Sequence, residues 1–154
     1  MEGSRVDPNK AILLVEDNDA DAMSVKRAFR ESGLANPVVR VERGEAALEF
    51  LNRTGNFADR SPALNPALVL LDLNMPGMDG LEVLQAIRAN PKFSRIPVIV
   101  LTTSTHDRDV EACYQQGANS YVQKPVDFDR LMVAVKRMKD YWFELVILPR
   151  QEEV

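Results

Sequence analysis

Acidic residues directly follow two stretches of this sequence that have the pattern of buried strands. The run ALVLL at 67–71 is wholly apolar, as in a strand covered on both faces, and Asp72 comes next. The run AILLV at 11–15 is followed in the same way by Glu16 and Asp17. Ligands of an open α/β sheet bind outside the carboxyl ends of its strands, so we expect these three carboxylates to meet at one edge.

A cluster of this kind has a definite chemistry. Carboxylates that are held together repel one another, and one of them is protonated unless a cation neutralises the group. A hard divalent ion, in the first place Mg²⁺, suits a site made of one or two carboxylates, a phosphate oxygen and waters. A carboxylate beside such an ion can also attack phosphorus and form an aspartyl phosphate. The pattern therefore predicts that Asp72 is a phosphate acceptor.

Two further strand ends supply groups that bind a phosphoryl dianion. The run PVIVL at 97–101 is followed by Thr102, and SYVQK at 120–124 ends in Lys124 with Pro125 behind it. A compact ammonium and a hydroxyl donor are what the dianion requires, and Lys124 and Thr102 are the available ones.

Short apolar runs alternate with segments of helical spacing along the chain. The predicted strands are residues 11–15, 37–41, 67–71, 97–101 and 120–124, and the predicted helices are residues 20–31, 45–53, 81–88, 107–116 and 127 onwards. This alternation favours a βα-wound parallel sheet with helices on both faces. In the first helix, Met23, Ala28 and Phe29 are predicted to share the inward face, with Val25 at its flank. The stretch 52–67 is predicted to be an exposed loop away from the site, because it enters the third strand from its amino end.

Some of these residues also have purely structural interpretations. Asp17 or Asn18 could simply cap the first helix, and Asp79 is predicted to be a turn and cap residue before the third helix. The convergence of Asp72 and Lys124 on one edge of the sheet favours the chemical interpretation for that edge.

Four segments resemble the receiver domain of two-component response regulators. They are LLVEDN, LLDLNMPGMDG, IPVIVLTTS and GANSYVQKP, in this order, and the resemblance covers roughly residues 10 to 140. It implies an α/β fold with a doubly wound, flavodoxin-like sheet of five parallel strands in the order 2-1-3-4-5. The expected organisation is a flexible N-terminal tail at 1–9, a receiver domain at 10–139 and a C-terminal extension at 140–154.

The resemblance also implies roles for individual residues. Asp72 would be the phosphorylation site, and Mg²⁺ would be held by Asp17, Asp72 and the main-chain carbonyl of Asn74, with Glu16 acting through water. Thr102 and Tyr121 would form the switch pair, although Tyr121 could instead be a static half-buried ring. The Lys124–Pro125 bond would be a cis peptide. Glu16 departs from the aspartate that is commoner at the first acidic position.

The expected function is that of a single-domain response regulator in a phosphorelay. A separate histidine kinase would supply the phosphoryl group, and the acyl phosphate would later hydrolyse in the same site, a weak self-dephosphorylation rather than turnover of a substrate. One alternative is a Mg²⁺-dependent phosphohydrolase of the haloacid-dehalogenase type, but that family requires a second acid two residues after the nucleophile, where this chain has Asn74. A flavin carrier is the other alternative, but no Ser/Thr/Gly-rich phosphate loop follows AILLV.

The segment DYWFELVILPR at 140–150 carries more apolar residues than one covering stripe of a helix needs. An exposed apolar patch of this kind usually marks an interface, so we expect a symmetric homodimer. The predicted interface residues are Tyr141, Trp142, Phe143, Leu145, Val146, Ile147 and Leu148. The alternative is that the segment folds back over its own domain.

Stand-alone receivers that serve bacterial phytochromes are similar in this segment. The resemblance implies a light-sensing histidine kinase as the phosphoryl donor.

The bulk properties exclude several other classes. A chain of 154 residues fits one domain, and its net charge of −4 counts against general nucleic-acid binding. The lone Cys113 cannot form an internal disulfide. No run reaches the roughly 18 apolar residues of a membrane span, and the polar start MEGSRVDPNK lacks a secretory signal. We therefore expect a cytoplasmic protein that binds neither membranes nor nucleic acid directly.

Overall fold

A computed structural model describes residues 10–148 of the chain, so the predicted tail at 1–9 and the end of the extension at 149–154 lie outside it. Five parallel strands form one sheet in the order β2-β1-β3-β4-β5. They are β1 (Ala11–Val15), β2 (Val38–Val41), β3 (Pro66–Leu71), β4 (Val98–Thr102) and β5 (Ser120–Gln123). The predicted fold class and strand order are confirmed.

Five α-helices cover the two faces of this sheet. They are α1 (Asp19–Glu31), α2 (Gly44–Asn52), α3 (Gly80–Ala89), α4 (Asp107–Gln115) and α5 (Phe128–Lys139), and α5 continues directly into a π-helical segment, Asp140–Leu145. Side chains alternate between the faces, so Leu13 and Val15 of β1 join a core under α2, α3 and α4. Ile12 and Leu14 join a second core under α1 and α5, which we term the α1/α5 core.

Burial along the strands follows their position in the sheet. Every residue of β1, β3 and β4 is buried, whereas the edge strands β2 and β5 are mostly half-buried. This difference explains why three runs of the sequence are continuously apolar and the other two are mixed.

The inward face of α1 differs from the predicted one. Its buried residues are Ala22, Val25, Ala28 and Phe29, whereas Met23 is 72% exposed, so the prediction for Met23 is wrong. Val25 lies at the centre of the inward face, and a residue two positions away is turned about 200° around the helix. Met23 therefore points to solvent.

The stretch 52–67 is held down by Arg60. Its guanidinium donates to the carbonyl of Phe50 at 2.7 Å and to Oδ1 of Asn65 at 2.8 Å, and it lies 4.4 Å from the centre of the Phe50 ring. These contacts tie the end of α2 to the amino end of β3, the end of the strand opposite Asp72. Within residues 10–148, no helix is both long and apolar enough to cross a bilayer.

Candidate functional site

The three predicted acids meet at the carboxyl edge of the sheet. Glu16 follows β1 and is 2% exposed, Asp72 follows β3 and is 6% exposed, and Asp17 is exposed. One carboxylate oxygen of each residue lies within 4.8 Å of the others. Two adjacent parallel strands bring them together, because Val15 of β1 pairs with Leu71 of β3 immediately before the acids.

Lys124 enters this cluster from the far edge strand. Its ammonium lies 2.5 Å from Oε1 of Glu16, 2.9 Å from Oδ2 of Asp21 and 3.4 Å from Oδ2 of Asp72. The side chain of Lys124 is only 12% exposed. All three N–H donors of the ammonium can therefore be used by carboxylates.

The electrostatics of the cluster are dominated by burial. Burial raises the pKa of Glu16 from 4.5 to about 7, although hydrogen bonds from Lys124 and from the Asn18 N–H oppose the rise. Burial lowers the pKa of Lys124, but its hydrogen bonds to Glu16 and Asp21 outweigh that effect, so the net pKa lies above the ordinary value. One ammonium thus leaves the buried acids incompletely neutralised. The all-oxygen donor set fits a hard divalent cation.

Asn74 and Thr102 lie on the other side of Asp72. The backbone N–H of Asn74 donates to Oδ1 of Asp72 at 3.3 Å, and the Asn74 amide nitrogen donates to Oγ1 of Thr102 at 3.4 Å. Thr102 is fully buried at the end of β4. The two carboxylate oxygens of Asp72 therefore face different partners, Asn74 on one side and Lys124 on the other.

The loop after Asp72 is kept close to the strand by Gly80. The Gly80 N–H donates to the carbonyl of Leu73 at 3.0 Å, and a Cβ at Gly80 would clash with the Asp72 carbonyl oxygen and lie 2.7 Å from the Leu73 Cα. Asp79 precedes α3 and forms a reciprocal capping box with Glu82. The prediction that Asp79 is a cap residue is confirmed.

Tyr121 contacts the loop that follows β4. Its hydroxyl donates to the carbonyl of Ser104 at 2.9 Å, while its backbone N–H donates to the Tyr114 hydroxyl on α4 at 3.1 Å. The Ser104 hydroxyl in turn donates to Oδ2 of Asp109 at 2.6 Å. The half-buried ring is therefore linked to α4 and to the segment two residues beyond Thr102.

The Lys124–Pro125 bond differs from the predicted cis peptide. The described part of the chain contains no cis peptide bond, so this bond is trans and the prediction is wrong. The trans form of an X–Pro bond is favoured by about 0.5–1 kcal/mol. Here the ammonium reaches its three carboxylates with the trans bond, while the Lys124 N–H pairs with the Thr102 carbonyl at 2.7 Å.

Two residues that support the site were missed from the sequence. Asp21 lies one helical turn after Asp17, at the third residue of α1, and the spacing of four residues was a usable signal. Arg40 interrupts the apolar pattern of β2, and it donates to the carbonyl of Glu16 at 2.8 Å and pairs with Asp19 at 2.9 Å. Its contacts fix the start of the segment that carries Asp17.

Comparisons with known proteins agree with this geometry. Residues 12–136 match the profile of the response regulator receiver domain family. The chain is 42% identical over 142 residues to response regulator Rcp1 of Synechocystis sp., covering 92% of this chain and 95% of Rcp1. The phosphorylated cyanobacterial phytochrome response regulator RcpA has a similar structure, with a TM-score of 0.84 and 38% identity over 92% of this chain and 99% of RcpA. The Mn²⁺-bound form of Rcp1 has a TM-score of 0.82 at 40% identity, with the same two coverages.

These matches decide between the functions that the sequence left open. Neither the comparisons nor the site favour a haloacid-dehalogenase-type phosphohydrolase, which would have a second acid where this chain has Asn74. The relative Rcp1 binds a divalent metal ion, Mn²⁺, and the acidic group Glu16, Asp17 and Asp72 of this chain could hold one. The chain belongs to the response regulator receiver family and is a two-component signalling protein similar to phytochrome response regulators.

Proposed function

We propose that Asp72 accepts a phosphoryl group from a separate histidine kinase and that Mg²⁺ is the cofactor. The observation that carries the proposal is the position of Asp72, 3.4 Å from the Lys124 ammonium and grouped with Glu16 and Asp17. In the reaction, a carboxylate oxygen of Asp72 forms a bond to phosphorus while the bond from phosphorus to the histidine nitrogen of the kinase breaks. The imidazole leaves and is protonated.

The surrounding residues have separate parts in this reaction. Asp17, Asp72 and the main-chain carbonyl of Asn74 would hold Mg²⁺, with Glu16 acting through water, and the ion would supply positive charge beside the phosphoryl oxygens. The ammonium of Lys124 and the hydroxyl of Thr102 bind those oxygens. The N–H of Asn74 orients the Asp72 carboxylate by donating to Oδ1.

Signalling then follows from a shift between two conformations of the loop after β4. When Thr102 moves towards the phosphoryl group, Tyr121 exchanges its hydrogen bond to Ser104 for a more buried position. This changes the surface formed by α4, β5 and α5, and the phosphoryl group favours the new state by its differential contacts. Water later hydrolyses the acyl phosphate in the same site, so the chemistry resets a switch and does not turn over a metabolite.

Mass spectrometry tests the acceptor. With Mg²⁺ and acetyl phosphate, the wild-type chain should gain one phosphoryl group, and Asp72→Asn should gain none while keeping its fold. Asp79→Asn is a matched control, because Asp79 lies seven residues further on and serves as a cap. Beryllofluoride should occupy the same site. An adduct that persists unchanged in Asp72→Asn would contradict the assignment.

We also propose a phytochrome-type histidine kinase as the phosphoryl donor. Support comes from the similarity to the phytochrome response regulator RcpA. This similarity covers 92% of this chain. Purified phytochrome kinases should transfer phosphoryl to Asp72 much faster than histidine kinases with other sensor domains. Equal transfer rates from both groups of kinases would contradict this donor.

The last part of the proposal is a symmetric homodimer through residues 141–148. Trp142 and Phe143 pack against the α1/α5 core, so the fold-back alternative applies to these two residues. Tyr141, Leu145 and Ile147 remain exposed, at 49%, 68% and 64%. An exposed apolar group of this kind on one short segment supports a docking surface for a second copy.

Sedimentation tests the dimer. Leu145→Glu combined with Ile147→Glu should give a monomer that still accepts phosphate at Asp72, because neither residue is part of the core. Met23→Glu is the control, since Met23 is equally exposed but lies on α1. Truncation after Asp140 should also yield a monomer, although it removes the core contacts of Trp142. A full-length protein that is monomeric at tens of micromolar would contradict the proposal.

A further inference from the structure

Asp21 is a fourth acidic residue of the site. Its Oδ2 lies 2.9 Å from the ammonium of Lys124, closer than the 3.4 Å of Asp72. The side chain of Asp21 is 46% exposed, whereas that of Glu16 on the same ammonium is 2% exposed. Asp21 therefore holds Lys124 from the solvent side, and Glu16 holds it from beneath.

The position of Asp21 is fixed by the start of α1. Asn18 caps the helix and its Oδ1 accepts the backbone N–H of Asp21 at 2.9 Å. Asp21 is absent from the group of three acids that could hold a metal ion, which consists of Glu16, Asp17 and Asp72. Within residues 10–148, the side chain of Asp21 contacts the ammonium of Lys124, so its role is exerted through that ammonium.

A phosphoryl group on Asp72 needs the ammonium that Asp21 occupies. The three N–H donors of Lys124 already have three carboxylate partners, so one of them must give way to a phosphoryl oxygen. Losing Lys124 would leave Glu16 buried without its cation, which is costly. Asp72 carries the phosphoryl group and so stays beside the ammonium, whereas water can replace Lys124 at the half-exposed Asp21 carboxylate. Asp21 is therefore the partner that gives way.

We propose that Asp21 positions Lys124 in the unphosphorylated site and competes with the incoming phosphoryl group for its ammonium. This inference rests on the proposed phosphorylation of Asp72. The negative charge of Asp21 at the open side of the site also repels anionic phosphodonors. Both effects slow phosphorylation, so removal of this one charge should accelerate it.

The test compares initial rates of phosphorylation of the full chain by acetyl phosphate with saturating Mg²⁺. Asp21→Asn keeps the size and removes the charge, and the rate should rise about threefold to tenfold at low ionic strength, as expected for one unit charge partly exposed to solvent. The increase should shrink at about 1 M salt, where the Debye length is roughly 3 Å. Asp21→Ser also removes the charge and should show a similar increase. Asp21→Glu keeps the charge, so its rate should equal that of the wild type.

Asp129→Asn is the matched control, because Asp129 is an exposed aspartate in the first turn of α5 and its replacement changes the net charge equally. Its rate should equal that of the wild type. A rate for Asp21→Asn at or below wild type would overturn the role of Asp21 while leaving Asp72 as the acceptor. A wild-type chain that takes up no phosphoryl group would instead reject the acceptor assignment, and the role of Asp21 with it.

Discussion

Replacing Glu16 with glutamine measures what the buried acid costs the fold. The side chain of Glu16 is 2% exposed, and burial raises its pKa from 4.5 to about 7. A carboxyl group with a raised folded-state pKa binds its proton more tightly in the folded chain. The free energy of unfolding should therefore fall as the pH rises from 4.5 to 7 and stay low above that range.

The size of the effect follows from the two pKa values. Each unit of difference between the two pKa values corresponds to about 1.4 kcal/mol, so the free energy of unfolding should be lower by about 3 kcal/mol at pH 8 than at acidic pH. Lys124 does not contribute in this range, because its raised pKa affects stability only above pH 10.5. Glutamine resembles the protonated acid, so Glu16→Gln should be more stable than the wild type by about 1 kcal/mol at pH 5 and about 3 kcal/mol at pH 8 in the absence of metal.

Urea unfolding followed by far-UV circular dichroism, with EDTA present, checks this prediction. The midpoint of Glu16→Gln at pH 8 should exceed that of the wild type by about 1 M or more, given slopes of about 1–3 kcal/mol per molar urea. Glu31→Gln, which alters an exposed acid on α1, should change the midpoint little. Mg²⁺ should stabilise the wild type more than the variant. Equal midpoints at pH 8, or a metal-free wild-type midpoint that is the same at pH 5 and pH 8, would refute the reasoning.

Three other substitutions distinguish residues that act in phosphorylation from residues that stabilise the fold around the site. Lys124→Ala should stay folded with Mg²⁺ present and should still bind the ion. Phosphorylation of this variant should no longer shift the NMR signals of Tyr121. If the variant is unfolded, Lys124 is a structural residue instead. Gly80→Ala should lower the free energy of unfolding by about 1–3 kcal/mol and slow phosphorylation, because the added methyl group presses on the Asp72 carbonyl; an unchanged phosphorylation rate would contradict this. Arg60→Ala should cost about 1–3 kcal/mol of stability in thermal unfolding, through its lost hydrogen bonds and ring contact, yet leave the phosphorylation rate unchanged. A slower rate in Arg60→Ala would show that the 52–67 loop reaches the site.

The strands could be located from sequence because their signal is local. A strand buried on both faces must be apolar at every position, and β1 was predicted at its observed bounds, Ala11–Val15. The strand ends then placed Glu16, Asp72 and Lys124 at one edge, because parallel strands share a carboxyl edge. Burial on helices was less predictable, as Met23 shows, since a short helix offers several apolar faces and only packing selects one.

The chemistry of the site was thus determined by residue types and strand ends, before any contact was known. Tertiary structure alone decided how the ammonium of Lys124 is shared, because its contact with Asp21 joins residues 103 positions apart and depends on where the start of α1 lies relative to the end of β5. It also decided that the Lys124–Pro125 bond is trans and that Trp142 covers its own core. A local sequence pattern predicts which residues are buried. The features above depend instead on distances between separate elements, which only the packed chain defines.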